Sequence, residues 1–553
     1  MVAGTEGVRR WLAPARVMVV LLAAGGALRL WQYFGNPALW LDELAVANNL
    51  LTRDVGSLLS APLADGQIAP PGFLILSRAA VVTFGSSEYS LRLVPLLCSL
   101  ATLPLFMRLA CRVLYPVGAV VAVALFSLSA TLAVYAAEAK QYAGDVLVTI
   151  ILTDLALAWL ERPVRRRLLW LTLAGALLVW FSQPAVLVLA GLGAALLIAS
   201  PVAHRRTLVP TVVLWSAVAA LSVAYAKARM GPGLAAYMSS FWRAGFMPWP
   251  IQSATGVLWP LTAIRDVFDL LLDYPFPTAY LVLALVGLIS LHRRCRGPAL
   301  VLLSPVGVTV AAAIAHTFPL RTRLALFLVP LLLLLVAEGA CRLGSMMRPR
   351  SLAALPPVAV VLEPAVALAI NPPVWRLDDA RPVLAEVAEE RRPGDAVYVF
   401  YPSWQVLRFY GSRQGVPLES VDIGNCHPEL RDYLREIDRY RGRDRLWFLS
   451  AFEIPNGVEL PVLLAYLDSI GVRGSAIHGP PSKRPGAGGL GQRYKTRSSA
   501  FGYLYDLSDP ARLASTSADA RELPPSVRIV GVPRCVYGPT IPHVQTVAEA
   551  LRP

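Results

Sequence analysis

The sequence predicts a polytopic α-helical membrane protein with a polar C-terminal domain. Hydrophobic residues make up 56% of the 553-residue chain and charged residues only 16%, against roughly a quarter in soluble proteins. Long apolar segments recur from about residue 15 to residue 370, and the rest of the chain is polar and rich in Pro and Gly. These features exclude a soluble globular enzyme, a disordered chain and a disulfide-dense secreted scaffold.

Apolar segments of roughly 18 residues or more are long enough to cross a bilayer as a helix. We predict about eleven such spans, and the pair within 168–200 is short enough for a re-entrant hairpin. The apolar segment Pro70–Phe84 is short for a span and contains Arg78, so we expect a helix lying at the interface. The predicted spans are 15–34, 89–111, 116–136, 141–160, 168–181, 184–200, 207–226, 277–292, 298–316, 322–341 and 352–370.

The basic residues indicate how these spans are oriented. The net charge is +15, and arginines cluster at the N-terminus and in alternate loops if Pro70–Phe84 is not a span. Cytoplasmic segments collect Lys and Arg, so we predict a cytoplasmic N-terminus and an extracytoplasmic C-terminus. Topology then explains most of the positive charge, and we expect no nucleic-acid partner. The first apolar segment lacks a small-residue cleavage site, which indicates an uncleaved anchor.

Two domains are expected, a transmembrane module over 1–370 with a first outer loop at 35–88, and a soluble domain over 371–553. In the soluble domain, strands alternate with helices, which favours a small α/β layer. Cys426 and Cys535 are its only cysteines, and an oxidising compartment would permit a disulfide between them. The predicted helices are 381–392, 403–410 and 460–470, the predicted strands are 396–401 and 445–450, and 479–500 has the composition of a flexible loop.

Asp42 and Glu43 are the first candidate site residues, directly after the first span. Two adjacent carboxylates near a membrane surface suit a general base or a metal ligand. A solvated loop or a helix cap at Asp42 is the structural alternative.

A second group of polar residues lies at the outer end of the third predicted span. In a continuous helix Glu138, Gln141, Tyr142 and Asp145 share one face, and Lys140 joins that face only if the helix starts later. Asp145 would lie at the bilayer edge, where an ionisable residue is costly and is a candidate for function. An interhelical polar contact is the alternative.

A third group, His316, Arg321 and Arg323, lies in a predicted outer loop, where the positive-inside rule does not explain arginines. Guanidinium groups bind phosphate oxygens in bidentate fashion, so anchoring of a lipid-linked phosphate or pyrophosphate is one explanation. Contact with lipid head groups is the other. Arg92 raises the same question, although Glu88 four residues earlier is able to pair with it.

Four segments between about 35 and 145 together carry a family signature. They are Asp42-Glu43, Pro70-Pro71-Gly72-Phe73-Leu74, Gly85–Pro95 and Leu128–Ala143. In order and spacing they resemble GT-C fold membrane glycosyltransferases, specifically the protein O-mannosyltransferase and aminoarabinose transferase branch, glycosyltransferase family 39 in the broad sense. Lys140 stands where the family usually has Arg. The sequence also departs from the family pattern at Ile68-Ala69, which replaces the usual His before Pro-Pro, and at Gly144-Asp145, which is unusual.

The resemblance implies an inverting transferase that uses a polyprenyl-phosphate sugar and needs no metal or other cofactor. It implies Asp42 as the base, Glu43 as an orienting residue or acceptor contact, and Glu138 as a residue that orients Lys140 or the sugar. The implied phosphate clamp is Lys140 with Arg321 or Arg323. The acceptor is then a lipid, glycan or protein at the outer face of a bacterial plasma membrane. The substrate pocket would include Gln141, Tyr142, Asp145, Arg92 and His316.

Two other classes of protein remain open at this point. A lipid or glycan transporter would also have many spans and a charge such as Asp145, but it would normally show repeat symmetry, which is not visible. A polysaccharide polymerase or ligase with a pyrophosphate-linked donor would favour a His base and an arginine-rich loop, which His316 and Arg321 permit. Convergence of Asp42, Glu138 and Arg321 on one outward cavity would separate the three classes.

Overall fold

The computed structural model describes residues 3–230, 234–251, 253–427, 429–452, 458–483, 498–519 and 521–523. Up to residue 370 the described chain is helical, with short loops and single helical turns between the helices. These helices are Ala3–Phe34, Leu41–Thr52, Val55–Ser60, Pro71–Phe84, Glu88–Val113, Pro116–Ser127, Ala130–Ala136, Tyr142–Glu161, Arg165–Leu178, Ala185–Ala199, Val202–Ala228, Leu234–Phe241, Ala254–Val257, Trp259–Asp266, Pro277–Arg294, Arg296–Ile314, Val329–Met346 and Leu355–Ile370.

Seven helices of the described chain are long and apolar enough to cross a membrane. An eighth span results if Pro116–Ser127 and Ala130–Ala136, which meet at a 52° bend, are counted as one broken span. The chain is therefore a polytopic membrane protein. When the broken span is included, eight of the eleven predicted spans correspond to helices long and apolar enough to cross a membrane. The other three fall on Arg165–Leu178 and Ala185–Ala199, which are short, and on Pro277–Arg294, which ends in His292, Arg293 and Arg294. The count of eleven and the orientation of the spans stay predictions.

The segment Thr322–Met346 is the centre of the helical core, and 89% of its most apolar stretch is buried. It packs most closely against Pro277–Arg294, where Gly287 and Gly339 face each other's helix. A Cβ atom at either glycine would overlap a backbone carbonyl of the partner helix, so the close approach requires glycine. Arg323 lies at the start of this segment.

The segment predicted as the first outer loop, a name we keep for residues 35–88, folds into three short helices, Leu41–Thr52, Val55–Ser60 and Pro71–Phe84. Pro71 occupies the first turn of the third helix, where its missing N–H has no intrahelical partner to lose. Arg78 leaves the apolar face of this helix and donates to the carbonyl oxygen of Leu50 at 2.7 Å. The helix expected at 70–84 is therefore present, and its position relative to a bilayer stays a prediction.

The C-terminal part contains a five-stranded sheet of β1 (Ala396–Val399), β2 (Asp422–Ile423), β3 (Leu446–Ser450), β4 (Val472–His478) and β5 (Phe501–Asp506). The strand order is β2-β1-β3-β5-β4. β1 is parallel to β2 and β3, whereas β5 is antiparallel to β3 and β4. The helices of this part are Arg381–Glu390, Leu430–Ile437, Glu459–Ile470 and Pro510–Ser515, and a series of short helical turns covers Tyr401–Gln414.

The predicted strands at 396–401 and 445–450 correspond to β1 and β3, whose buried apolar residues made them recognisable. The predicted helices at 381–392 and 460–470 are also present, and 403–410 forms short helical turns. Strands β2, β4 and β5 were not predicted from the sequence. Cys535 and most of the expected flexible loop, 484–497, lie outside the described residues. The disulfide, the loop and the domain boundary at 371 stay predictions.

The sheet region is attached to the first outer loop by side-chain contacts. The Leu39 N–H donates to the Tyr410 hydroxyl at 2.9 Å, and Arg413 donates to the Ser86 carbonyl at 2.7 Å. Tyr410 is 2% exposed and packs in the same apolar cluster as the outer-loop helices. The outer loop and the C-terminal region therefore lie on the same side of the helical core.

Candidate functional site

Asp42 lies in the first turn of the helix Leu41–Thr52, between two cations. One carboxylate oxygen is 2.8 Å from the Lys140 ammonium nitrogen, and the other is 3.1 Å from a guanidinium nitrogen of Arg323. The Lys140 ammonium also donates to the side-chain oxygen of Gln67 at 2.6 Å. We call Asp42, Lys140, Arg323 and Gln67 the Asp42 cluster.

Lys140 reaches Asp42 because the chain is not helical between Ala136 and Tyr142. The helix starts at Tyr142, so the shared face expected for a continuous helix through Glu138 and Asp145 does not form. Lys140 was expected to join the polar face of this helix only if the helix started later. The helix does start later, at Tyr142, and Lys140 lies before it in the non-helical turn. Its side chain is 5% exposed, and a buried ammonium requires the partners that Asp42 and Gln67 provide.

Arg323 begins the central helical segment and is held by aromatic side chains. Its Nε donates to the Tyr142 hydroxyl at 2.9 Å. Its guanidinium carbon lies 5.4 Å from the ring centre of Trp40 and 5.2 Å from that of Trp242, within the range of cation–π attraction. Sequence reasoning missed both tryptophans, because tryptophan is ordinary in a membrane protein and only tertiary packing brings the two rings to one arginine.

Glu43 forms a buried ion pair with Arg92. The shortest oxygen–nitrogen distance is 2.7 Å, and each side chain is 2% exposed. Glu43 also accepts from the backbone N–H of Ala139 at 2.7 Å and from that of Trp40 at 3.3 Å. It therefore connects three segments, one of which is the turn that carries Lys140. Of the two roles that the resemblance implied for Glu43, these contacts fit the orienting residue better than the acceptor contact.

The ion-pair partner of Arg92 is Glu43, whereas the sequence suggested Glu88 as a possible partner. Besides Glu43, it donates to the carbonyl oxygens of Pro37 and Ala38 at 2.5 and 3.2 Å. Glu88 instead lies 3.5 Å from Arg381 of the C-terminal region. Arg92 is buried and joins its helix to the segment before Leu41, whereas Glu88, at the first position of the same helix, faces the C-terminal region.

A cavity of about 370 Å³ lies next to the Asp42 cluster. Glu138, Arg323 and Trp40 line it, as does the Glu43–Arg92 pair. One carboxylate oxygen of Glu138 is buried without a hydrogen-bond partner in the described part of the chain. Glu138 makes no ion pair with Lys140 there, so of the two roles implied for it, contact with the sugar fits the geometry better.

The pKa values of two carboxylates of the site, Glu138 and Asp42, are shifted in opposite directions. Burial raises the pKa of Glu138 to about 8, and the nearby carboxylate of Glu43 adds to the rise. Burial also opposes ionisation of Asp42, but the charges of Lys140 and Arg323 outweigh it and hold the pKa of Asp42 below its usual value. Near neutral pH, Asp42 is ionised and Glu138 is mostly protonated.

Seven of the eleven predicted site residues do not line the cavity. Three of the seven, Asp42, Lys140 and Tyr142, take part in the contacts of the Asp42 cluster. Arg321 donates to the carbonyl oxygen of Ala244 at 3.2 Å, because it precedes the helical turn that aims Arg323 at Asp42. The imidazole ring of His316 stacks on the ring of Phe246, with 5.1 Å between the ring centres. The remaining two are Gln141 and Asp145, both buried.

Of the three residues expected to converge on one cavity, Asp42, Glu138 and Arg321, only Glu138 lines this one. Arg323 lines it in place of Arg321, and Asp42 contacts Arg323 from outside the lining. Over the described ranges, no group of three or more His, Cys, Asp or Glu side chains could hold a metal ion.

No protein-family model and no curated protein matches the sequence. Among solved structures, the chain is similar to ArnT from Cupriavidus metallidurans bound to undecaprenyl phosphate, with 13% identity over 89% of this chain and 98% of that one, and a TM-score of 0.45. It is also similar to the archaeal oligosaccharyltransferase AglB from Archaeoglobus fulgidus in complex with an inhibitory peptide and a dolichol-phosphate. That match has 12% identity over 84% of this chain and 73% of that one, and a TM-score of 0.47.

The Archaeoglobus fulgidus oligosaccharyltransferase in its apo form matches at 13% identity over 87% of this chain and 75% of that one, with a TM-score of 0.49. ArnT and AglB are both GT-C fold glycosyltransferases, the class that the four sequence segments resemble. Such low identities give no residue-by-residue correspondence, so the roles of Asp42, Lys140 and Arg323 depend on their own contacts.

Proposed function

We propose that the chain is a membrane glycosyltransferase that moves a sugar from a polyprenyl-phosphate donor to an acceptor hydroxyl. The observation that carries the proposal is the position of Asp42 between Lys140 and Arg323, beside the cavity lined by Glu138. A carboxylate and two cations held together next to a cavity are the groups needed to accept a proton and to stabilise a leaving phosphate.

The charges of the cluster suit a monophosphate. Lys140 and Arg323 carry two positive charges against the single negative charge of Asp42, and the Glu43–Arg92 pair is neutral. Glu138 cancels little of the surplus near neutral pH, because its pKa is raised. A phosphate monoanion linked to a sugar and a lipid would balance the remaining positive charge.

The reaction follows as a single displacement. The acceptor hydroxyl attacks the anomeric carbon of the sugar while Asp42 takes the hydroxyl proton. The bond from the anomeric carbon to the phosphate oxygen breaks, and polyprenyl phosphate leaves with the electron pair and one more negative charge. Lys140 and Arg323 stabilise that added charge, and attack from the opposite side inverts the anomeric centre.

Donor binding also prepares the base in this scheme. The two cations that keep the pKa of Asp42 low become the partners of the phosphate once the donor is bound. Asp42 then loses part of its electrostatic stabilisation and becomes a stronger proton acceptor. The site would face the outside of a bacterial plasma membrane, with the N-terminus in the cytoplasm and 371–553 forming an extracytoplasmic domain.

The test uses purified protein and a panel of polyprenyl-phosphate sugars, with donor turnover and undecaprenyl phosphate binding measured side by side. Asp42→Asn should lower turnover by about 10²–10⁴-fold, yet bind the lipid phosphate at least as tightly as wild type, because a negative charge is removed from the cluster. Wild-type turnover in this variant would rule out Asp42 as the base.

The phosphate clamp has its own variants and a matched control. Lys140→Ala and Arg323→Gln should weaken lipid phosphate binding and slow turnover together, and Lys140→Arg should keep part of the activity. Arg321→Gln, two residues from Arg323 but turned toward Ala244, should behave like wild type. An unchanged donor titration for Lys140→Ala would remove the clamp from the mechanism.

A further inference from the structure

A second pair of cations, Arg376 and Lys483, lines the same cavity as Glu138 and Arg323. Both residues belong to the C-terminal region. Neither forms an ion pair with a carboxylate in the described ranges. Their side chains instead donate to backbone carbonyl oxygens. Arg376 Nε donates to the carbonyl oxygen of Pro481 at 3.5 Å, and Lys483 Nζ donates to that of Pro372 at 2.5 Å.

The backbone holds these two cations side by side. The Arg376 N–H donates to the Lys483 carbonyl at 2.7 Å, and the Lys483 N–H donates to the Arg376 carbonyl at 2.8 Å. The preceding residue, Trp375, is 2% exposed and is clamped by Gln32 of the first helix. Gln32 donates to its carbonyl at 2.7 Å and accepts from its N–H at 2.9 Å. The pair is therefore positioned before any ligand binds.

Two cations held this close repel each other. Burial and the charge of Arg376 lower the pKa of Lys483. Carboxylates also line the cavity, and one of them, Asp269, is paired with Arg265 at 3.2 Å. An anion bound between Arg376 and Lys483 would relieve the repulsion and form charge-assisted hydrogen bonds with both.

We infer that Arg376 and Lys483 bind an anionic group of the acceptor, a phosphate or a carboxylate close to the hydroxyl that receives the sugar. This inference rests on the proposed function, which assigns the donor phosphate to Lys140 and Arg323 and leaves the second cation pair for the other substrate. Because the second pair belongs to the C-terminal region, that region contributes directly to the choice of acceptor.

The experiment compares anionic probes with neutral counterparts on the purified full chain in detergent micelles. The pairs are glycerol 3-phosphate with glycerol, and methyl glucuronide with methyl glucoside, with binding followed by saturation-transfer NMR. Wild type should prefer at least one anion over its counterpart by about tenfold, and the preferred anion identifies a phosphate or a carboxylate acceptor. Arg376→Gln and Lys483→Gln should each lose most of this preference, and the exposed control Arg392→Gln should keep it.

Undecaprenyl phosphate binding to the same proteins separates the two substrates. It should be unchanged in Arg376→Gln and Lys483→Gln and weakened in Lys140→Ala. Absence of an anion preference in wild type, its retention in both Gln variants, or a parallel loss of undecaprenyl phosphate binding in them would overturn the inference. Unchanged lipid phosphate binding in Lys140→Ala would instead overturn the donor assignment of the proposed function, whatever the anion preference.

Discussion

The buried Glu43–Arg92 pair should be a large determinant of stability, and its removal tests whether Glu43 positions the site. Each side chain is 2% exposed. Arg92→Met leaves the Glu43 carboxylate buried with two backbone N–H donors, those of Ala139 and Trp40, in place of four hydrogen bonds. Leaving a buried charge unpaired costs about 3–5 kcal/mol.

Glu43→Gln should cost less than Arg92→Met, because the amide oxygen still accepts from Ala139 and the arginine keeps the carbonyl oxygens of Pro37 and Ala38. The double variant should be more stable than the sum of the single variants predicts, by roughly 2 kcal/mol, because neither charge is left alone. The coupling energy thus measures the pair itself.

The assay is the free energy of unfolding in mixed micelles, from titration with a denaturing detergent followed by tryptophan fluorescence. Arg321→Met is the control, since Arg321 forms no ion pair within the described residues, and it should lie within about 0.5 kcal/mol of wild type. An Arg92→Met variant as stable as this control would refute the positioning role. So would a Glu43→Gln variant that folds with wild-type stability and loses all turnover, because that result indicates a direct catalytic contact.

Two further predictions concern Glu138 and Trp242. Because the pKa of Glu138 is raised from 4.5 to about 8, its contribution to stability should fall as the pH rises from about 4.5 to 8; Glu138→Gln should flatten this part of the unfolding-versus-pH curve, and an unchanged curve would contradict the raised pKa. Trp242 lies 5.2 Å from the Arg323 guanidinium, and a cation–π contact contributes about 0.5–2 kcal/mol. Trp242→Leu should therefore weaken undecaprenyl phosphate binding several-fold, whereas the exposed Trp249 offers a control, Trp249→Leu, that should leave it unchanged.

Much of the fold could be predicted from local patterns. Apolar length alone identifies helices such as Glu88–Val113, because a helix that satisfies its own backbone hydrogen bonds can be read from one segment of sequence. The buried strands β1 and β3 were recognisable for a similar reason. β4 was not, because an exposed strand is defined by its partners across the sheet rather than by its own composition. β5 is mostly buried, so its apolar and aromatic residues offered a signal that was missed.

Some residues of the candidate site could also be predicted from local patterns, and others could not. Local motifs identified Asp42, Lys140 and Glu138 as candidate site residues. They could not distinguish Arg321 from Arg323, since both are arginines of one short loop and only the direction of the turn at Thr322 aims one of them at Asp42.

Only the tertiary structure paired Glu43 with Arg92, enclosed Arg323 between Trp40 and Trp242, and brought Arg376 and Lys483 to the cavity. These contacts join residues from about 49 to more than 280 positions apart in the chain. The strength of an ion pair or a cation–π contact depends on distance and burial in space, and the pattern of neighbouring residues along the sequence carries neither quantity.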